Sequence, residues 1–124
     1  MTFRVHDIDI RPIVETIKTS NNINLKEVTN FKWDTIYVFT PYSNPKDILK
    51  ENIDFSGKYS DSMYMIAFID NNQVTEFVEL PNNVIKVDIN EPIKVSRYEA
   101  KFNIHDKVMI IKTDKNVKQK LNKI

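Results

Sequence analysis

Residues 62–80 read SMYMIAFIDNNQVTEFVEL, two runs of apolar, β-branched and aromatic side chains on either side of Asn71-Asn72. Asparagine tolerates the positive φ that a two-residue hairpin turn demands, so the pattern predicts a β-hairpin turning at Asn71-Asn72. Cross-strand partners share a face, and the turn therefore sets a register. It puts Met63, Met65, Ala67 and Ile69 opposite Leu80, Val78, Glu76 and Val74. Tyr64, Ile66 and Phe68 fall opposite Glu79, Phe77 and Thr75 on the other face. Both faces are largely apolar, as expected of strands in the middle of a sheet covered on its two sides.

Reading outward from this hairpin, WDTIYVF (Trp33–Phe39) is β-branched, aromatic and closed by Thr40-Pro41, which predicts a strand. Further upstream, Asp9 precedes Ile10, Ile13, Val14 and Ile17, an amphipathic helix that starts at a cap and ends before Ser20-Asn21-Asn22. A loop is expected between that helix and Trp33. Asn44-Pro45-Lys46-Asp47 reads as a helix start, with a short helix to about Asn52. Downstream, Ile85, Val87 and Ile89 alternate as in a half-buried strand, with a turn at Asn82-Asn83 for which asparagine again supplies positive φ. Ile93 and Val95 suggest another strand. AKFNI and KVMIIK flank His105-Asp106 as a second hairpin, with Ala100, Phe102, Met109 and Ile111 on one face and Lys101, Asn103, Val108 and Ile110 on the other. The sum is an α+β fold, an antiparallel sheet of about five to six strands with one or two short helices packed on it. Two short helices cover little of such a sheet, so the remaining side should meet a curled sheet, a subunit or a ligand.

The chain has 124 residues, a length that suits a single α+β domain over residues 1–111 followed by a basic tail at 112–124. That tail holds Lys112, Lys115, Lys118, Lys120 and Lys123 against Asp114, a local charge of +4 within a whole-chain net charge of +1. It has the spacing of a short basic helix that could touch a membrane surface or a phosphate backbone, although charged ends are commonly solvated and frayed. Near-neutral charge argues against nucleic acid as the partner of the whole protein. Without cysteine there are no disulfides, no thiol catalysis and no cysteine-ligated metal. A single glycine excludes phosphate-cradling loops and dinucleotide fingerprints. No apolar run reaches the length of a membrane span, and the first residues are broken by Arg4, Asp7, Asp9 and Arg11, unlike a signal peptide.

Few residues invite chemistry. His6-Asp7-Ile8-Asp9 holds metal-ligating types, but no further motif completes a site, and no metal or other cofactor is expected. His105 and Asp106, adjacent at a turn, point apart and do not form a triad. Glu76 and Glu79 are three apart on one strand and lie on opposite faces, so they cannot flank one glycosidic bond. No catalytic residue is assigned. Two candidate ligand or partner sites remain. Glu76 sits in an apolar ladder opposite the small Ala67, a carboxylate beside a notch. Trp33, Asp34 and Tyr42 border an aromatic strand end that could form a recognition surface, with core packing as the competing role. The tail lysines Lys115, Lys118 and Lys120 are a third candidate for electrostatic contact.

The segment LKEVTNFKWDTIYVFTPYSNPKDILKENI, at residues 25–53, resembles a family of small uncharacterised proteins of low-GC Gram-positive bacteria, many of them predicted lipoproteins. In that family a Trp-Asp, a hydrophobic strand, a Pro-Tyr and a short helix follow in this order. FIDNNQVTEFVELPNN and YEAKFNI are similar to its second half, so the resemblance spans about residues 25–104 and is most specific at Trp33, Asp34, Pro41 and Tyr42. It implies an α+β domain of the cell envelope with no catalytic residues to carry over. This sequence lacks the family's leader and lipid-bearing cysteine, which leaves an extracytoplasmic site dependent on a removed leader and a cytoplasmic one otherwise. The expected function is a non-enzymatic binding or interaction module of the bacterial cell envelope, with a protein or small-molecule partner or a homodimer covering its exposed side. The alternative is an intracellular immunity-type inhibitor.

Overall fold

The structure is a computed structural model that describes residues 6–7, 11–43 and 62–112. The Asp9 cap, the helix expected over Pro45–Asn52 and the tail beyond Lys112 lie outside the described residues. In chain order the elements are β1 (His6–Asp7), α1 (Arg11–Thr19), β2 (Asn22–Asn24), α2 (Leu25–Val28), β3 (Thr35–Phe39), β4 (Met63–Asp70) and β5 (Gln73–Pro81). They continue as β6 (Lys86–Val87), β7 (Ile93–Ser96), a 3-10 turn (Arg97–Glu99), β8 (Lys101–His105) and β9 (Val108–Ile111).

In α1, Ile13 and Ile17 are four residues apart and both buried, and the half-buried Val14 packs beside them. Pro12 stands in the first turn, where no intrahelical partner awaits its missing N–H. The segment expected to be a loop is instead ordered: β2 is followed by α2, whose first turn is capped by Asn24, its Oδ1 accepting from the Lys26 N–H at 3.1 Å.

The central hairpin turns where expected, with Asn71 at φ 53° and Asn72 at φ 66°. Its first pairs, Asp70 with Gln73 and Ile69 with Val74, follow the predicted register. A bulge between Phe68 and Ile69 then takes in Thr75 as an extra residue, so Glu76 pairs with Phe68 and Phe77 with Ala67. The expected Glu76–Ala67 pair is therefore corrected by one residue. Burial supplies the reason. In the unbulged register Glu79 would share a face with Ile66 and Phe68; the bulge brings Val78 and Leu80 there instead, both fully buried. It moves Phe77 to the opposite face with Met65 and Ala67.

The second hairpin turns one residue later than expected, at Asp106-Lys107 (φ 52° and 64°), and pairs His105 with Val108 and Phe102 with Ile111. Its register is displaced by two residues, an even number, so every side chain keeps its predicted face. Asn82 and Asn83 do not use positive φ, which among the described asparagines is confined to Asn71 and Asn72. Their turn is closed by the Val84 and Ile85 N–H groups, both donating to the Pro81 carbonyl at 3.0 Å.

The chain forms two sheets rather than one of five to six strands. A five-stranded sheet has the order β1-β5-β4-β3-β7 and a four-stranded sheet the order β2-β8-β9-β6. Both are mainly antiparallel, with short parallel pairs at β1–β5 and β6–β9. The class is α+β as expected. The second sheet exists because β2 pairs with β8 and because β6 is only two residues long and pairs with β9. One core joins the sheets: Ile36, Ile66, Phe68, Val78 and Leu80 from the first, Ile23, Val87, Phe102 and Met109 from the second, with Ile13 and Ile17 of α1. A second cluster, Phe39, Met65, Ala67, Ile69, Val74 and Phe77, lies on the far face of β3–β5. The second sheet and α1 are thus what one side of the central hairpin meets. Among the described residues no helix is long and apolar enough to cross a membrane.

Candidate functional site

Glu76 lies on the core-facing side of β5, next to the short edge strand β1, whose His6 is its backbone partner. Across the sheet it faces Phe68, which is completely buried. Phe31 meets the Phe68 ring edge-on at 5.1 Å and Trp33 meets it at 5.2 Å. Beyond Phe31 the chain opens a cleft of about 770 Å³, lined by Pro12 of α1, Glu27 to Phe31 and Glu76. Glu76 is half-buried with its Oε2 withdrawn from solvent, whereas Glu27 is exposed at the rim. The cleft therefore combines an aromatic wall with two carboxylates at different depths.

The wall is held by a relay. Trp33 Nε1 donates to Thr29 Oγ1 at 2.8 Å, and that hydroxyl donates to the Leu25 carbonyl at 2.8 Å. Leu25 and Trp33 are both buried, so the segment between them is pinned at its two ends. Arg97 closes the outside: its guanidinium stacks 4.6 Å from the Trp33 ring centre, its Nη1 donates to the Trp33 carbonyl at 3.2 Å, and its N–H donates to the Asp34 carbonyl at 2.9 Å.

Trp33 and Asp34 thus act in the architecture. The Asp34 carboxylate accepts from the Asn71 N–H at 3.1 Å, tying the start of β3 to the hairpin turn, while the Asp34 N–H donates to the Ile69 carbonyl at 2.8 Å. Tyr42 stands apart, 71% exposed and with φ 72°, in the turn that follows β3. Ala67 is fully buried in the second cluster, on the opposite face of the sheet from Glu76. Of the five candidate residues, only Glu76 lines the cleft. Glu79 lies on the face away from Glu76, paired with Met65. The tail lysines Lys115, Lys118 and Lys120 fall outside the described residues.

Glu27, Thr29, Asn30 and Phe31 are the site residues that sequence reasoning missed, because their segment reads as a loop. A signal was present: Asn24-Leu25-Lys26-Glu27 carries a capping asparagine with an acid three residues on, the pattern of a helix start. Arg97 had no local signal. Among the described residues no group of three His, Asp or Glu side chains is gathered to hold a metal ion. A smaller pocket of about 180 Å³ lies elsewhere, between α1 and the turns at Asn83 and Lys107. No family model, curated protein or solved structure matches the chain.

Proposed function

We propose that the protein is a non-enzymatic binding module of the bacterial cell envelope that captures a cationic group of its partner in the cleft beside Glu76. The observation that carries this reading is the cleft itself: about 770 Å³, with the Phe31 ring on one wall and the carboxylates of Glu27 and Glu76 on its rim and flank. An aromatic wall beside acidic oxygens suits an ammonium or guanidinium group, which gains both charge-assisted hydrogen bonds and attraction to the ring. The Thr29 hydroxyl already accepts from Trp33 and donates to Leu25. Placement in the envelope is supported by the resemblance over residues 25–104.

Titration calorimetry with spermidine and with arginine- and lysine-bearing dipeptides tests the cleft. Binding is expected for at least one of these probes, weakened about tenfold in Glu76→Gln because a charge-assisted bond becomes a neutral one. A hydrolase panel should give no turnover. Binding that Glu76→Gln and Glu27→Gln leave unchanged, or catalytic turnover lost with either, would overturn the reading.

A further inference from the structure

The outer face of the four-stranded sheet is polar, basic and open. Along β8 the burial alternates, with Lys101, Asn103 and His105 exposed around buried Phe102. Along β9 Met109 is buried and Ile110 is 38% exposed. The pairing places these outward residues in rows. Lys101 lies beside Lys112, whose N–H donates to the Lys101 carbonyl at 2.8 Å. Asn103 lies beside Ile110, and His105 beside Val108, which neighbours Lys86 of β6. Lys86, Lys101 and Lys112 are all exposed; the exposed acids at the margin of the face are Asp88, two residues after Lys86, and Asp106, which sits beside exposed Lys107 in the β8–β9 turn. Further along the sequence stand Lys115, Lys118 and Lys120, outside the described residues.

We infer that this face docks on an anionic lipid bilayer. Three lysines share this face with the exposed Ile110, so ammonium groups can reach lipid phosphates while Ile110 meets the acyl boundary. Single-stranded nucleic acid fits less well, because the outward residues of β8 and β9 offer one aromatic ring, His105, and no arginine, where successive bases need a row of stacking partners. The surface is distinct from the cleft beside Glu76, and its test is independent of what the cleft holds.

The test is co-sedimentation of the full chain with phosphatidylcholine vesicles, with and without phosphatidylglycerol. Binding is expected only to the anionic vesicles and should fall as salt rises. The triple variant Lys86→Gln, Lys101→Gln, Lys112→Gln should bind about a hundredfold more weakly, roughly fivefold for each lysine. Ile110→Ser should weaken binding while keeping its salt dependence. Lys26→Gln, on α2, is the control and should bind as the parent does. All these positions are exposed, and circular dichroism checks that the variants keep their fold. Absence of binding to anionic vesicles, equal binding to neutral ones, or a triple variant that binds like the parent would overturn the inference. Preferential capture of a single-stranded oligonucleotide over anionic vesicles would do the same.

Discussion

Trp33 organises more of the molecule than any other single side chain described. Its indole N–H restrains Thr29, its ring takes Phe68 at one edge and Arg97 on its face, and its own carbonyl accepts from Arg97. Trp33→Ala should cost about 3–5 kcal/mol of unfolding free energy, the range for removing a large buried aromatic. Trp33→Phe keeps the apolar contact but loses the donor, and about 1 kcal/mol is expected. Urea unfolding followed by circular dichroism separates the two. Asp34→Ala removes the acceptor of the Asn71 N–H from an exposed site, so a loss of at most about 1 kcal/mol is expected, and Asp34→Asn should recover part of it. Trp33-Asp34 stood out in the sequence as the start of an aromatic, β-branched strand. Its role did not, because the groups that define it, Arg97 and Asn71, come from distant parts of the chain.

At the scale of elements, the two hairpins show how far turn chemistry reaches. Both turns were recognisable from residues that tolerate positive φ or from the apolar runs beside them. The register of the second was displaced by two residues, its turn falling one residue later, at no cost to its facial pattern, since side chains alternate with period two. The first was displaced by one beyond its bulge, which exchanges faces for the rest of the strand. Thr75 is the residue that makes this exchange. Deleting Thr75 should leave Phe68 paired with Glu76 and Val78 in the main core, because the remaining residues then alternate without interruption. Hydrogen exchange should show the β4–β5 amides still protected. Inserting a residue after Thr75 should let the two extra residues enter the ladder as a regular pair, an even shift that keeps Val78 and Leu80 on the core face but moves them two positions along β4, so unfolding should stay cooperative at lower stability. The missed elements β2 and α2 are three and four residues long. Segments that short carry little periodicity, and only the Asn24 and Glu27 spacing marked them.

For the whole molecule, the decisive feature is that both sheets and α1 bury their apolar sides in one cluster. Phe102 of the four-stranded sheet is fully buried in it. Phe102→Ala should therefore lower stability by about 3–5 kcal/mol and destabilise both sheets together. Fluorescence of Trp33, the sole tryptophan and attached to the five-stranded sheet, should report the same midpoint as far-UV circular dichroism. Separate transitions would mean that the sheets fold as independent units. The sequence by itself determined the α+β class, the helix at Arg11–Thr19, the central hairpin with its turn, and the separation of Glu76 from Glu79, because each depends on local periodicity and backbone preference. Only the tertiary structure decided that there are two sheets, that Glu76 faces Phe68, and that Glu27 and Phe31 stand beside it. Those outcomes depend on which strand edges pair and which side chains fill a shared interior, a competition settled by burial among residues far apart in the chain.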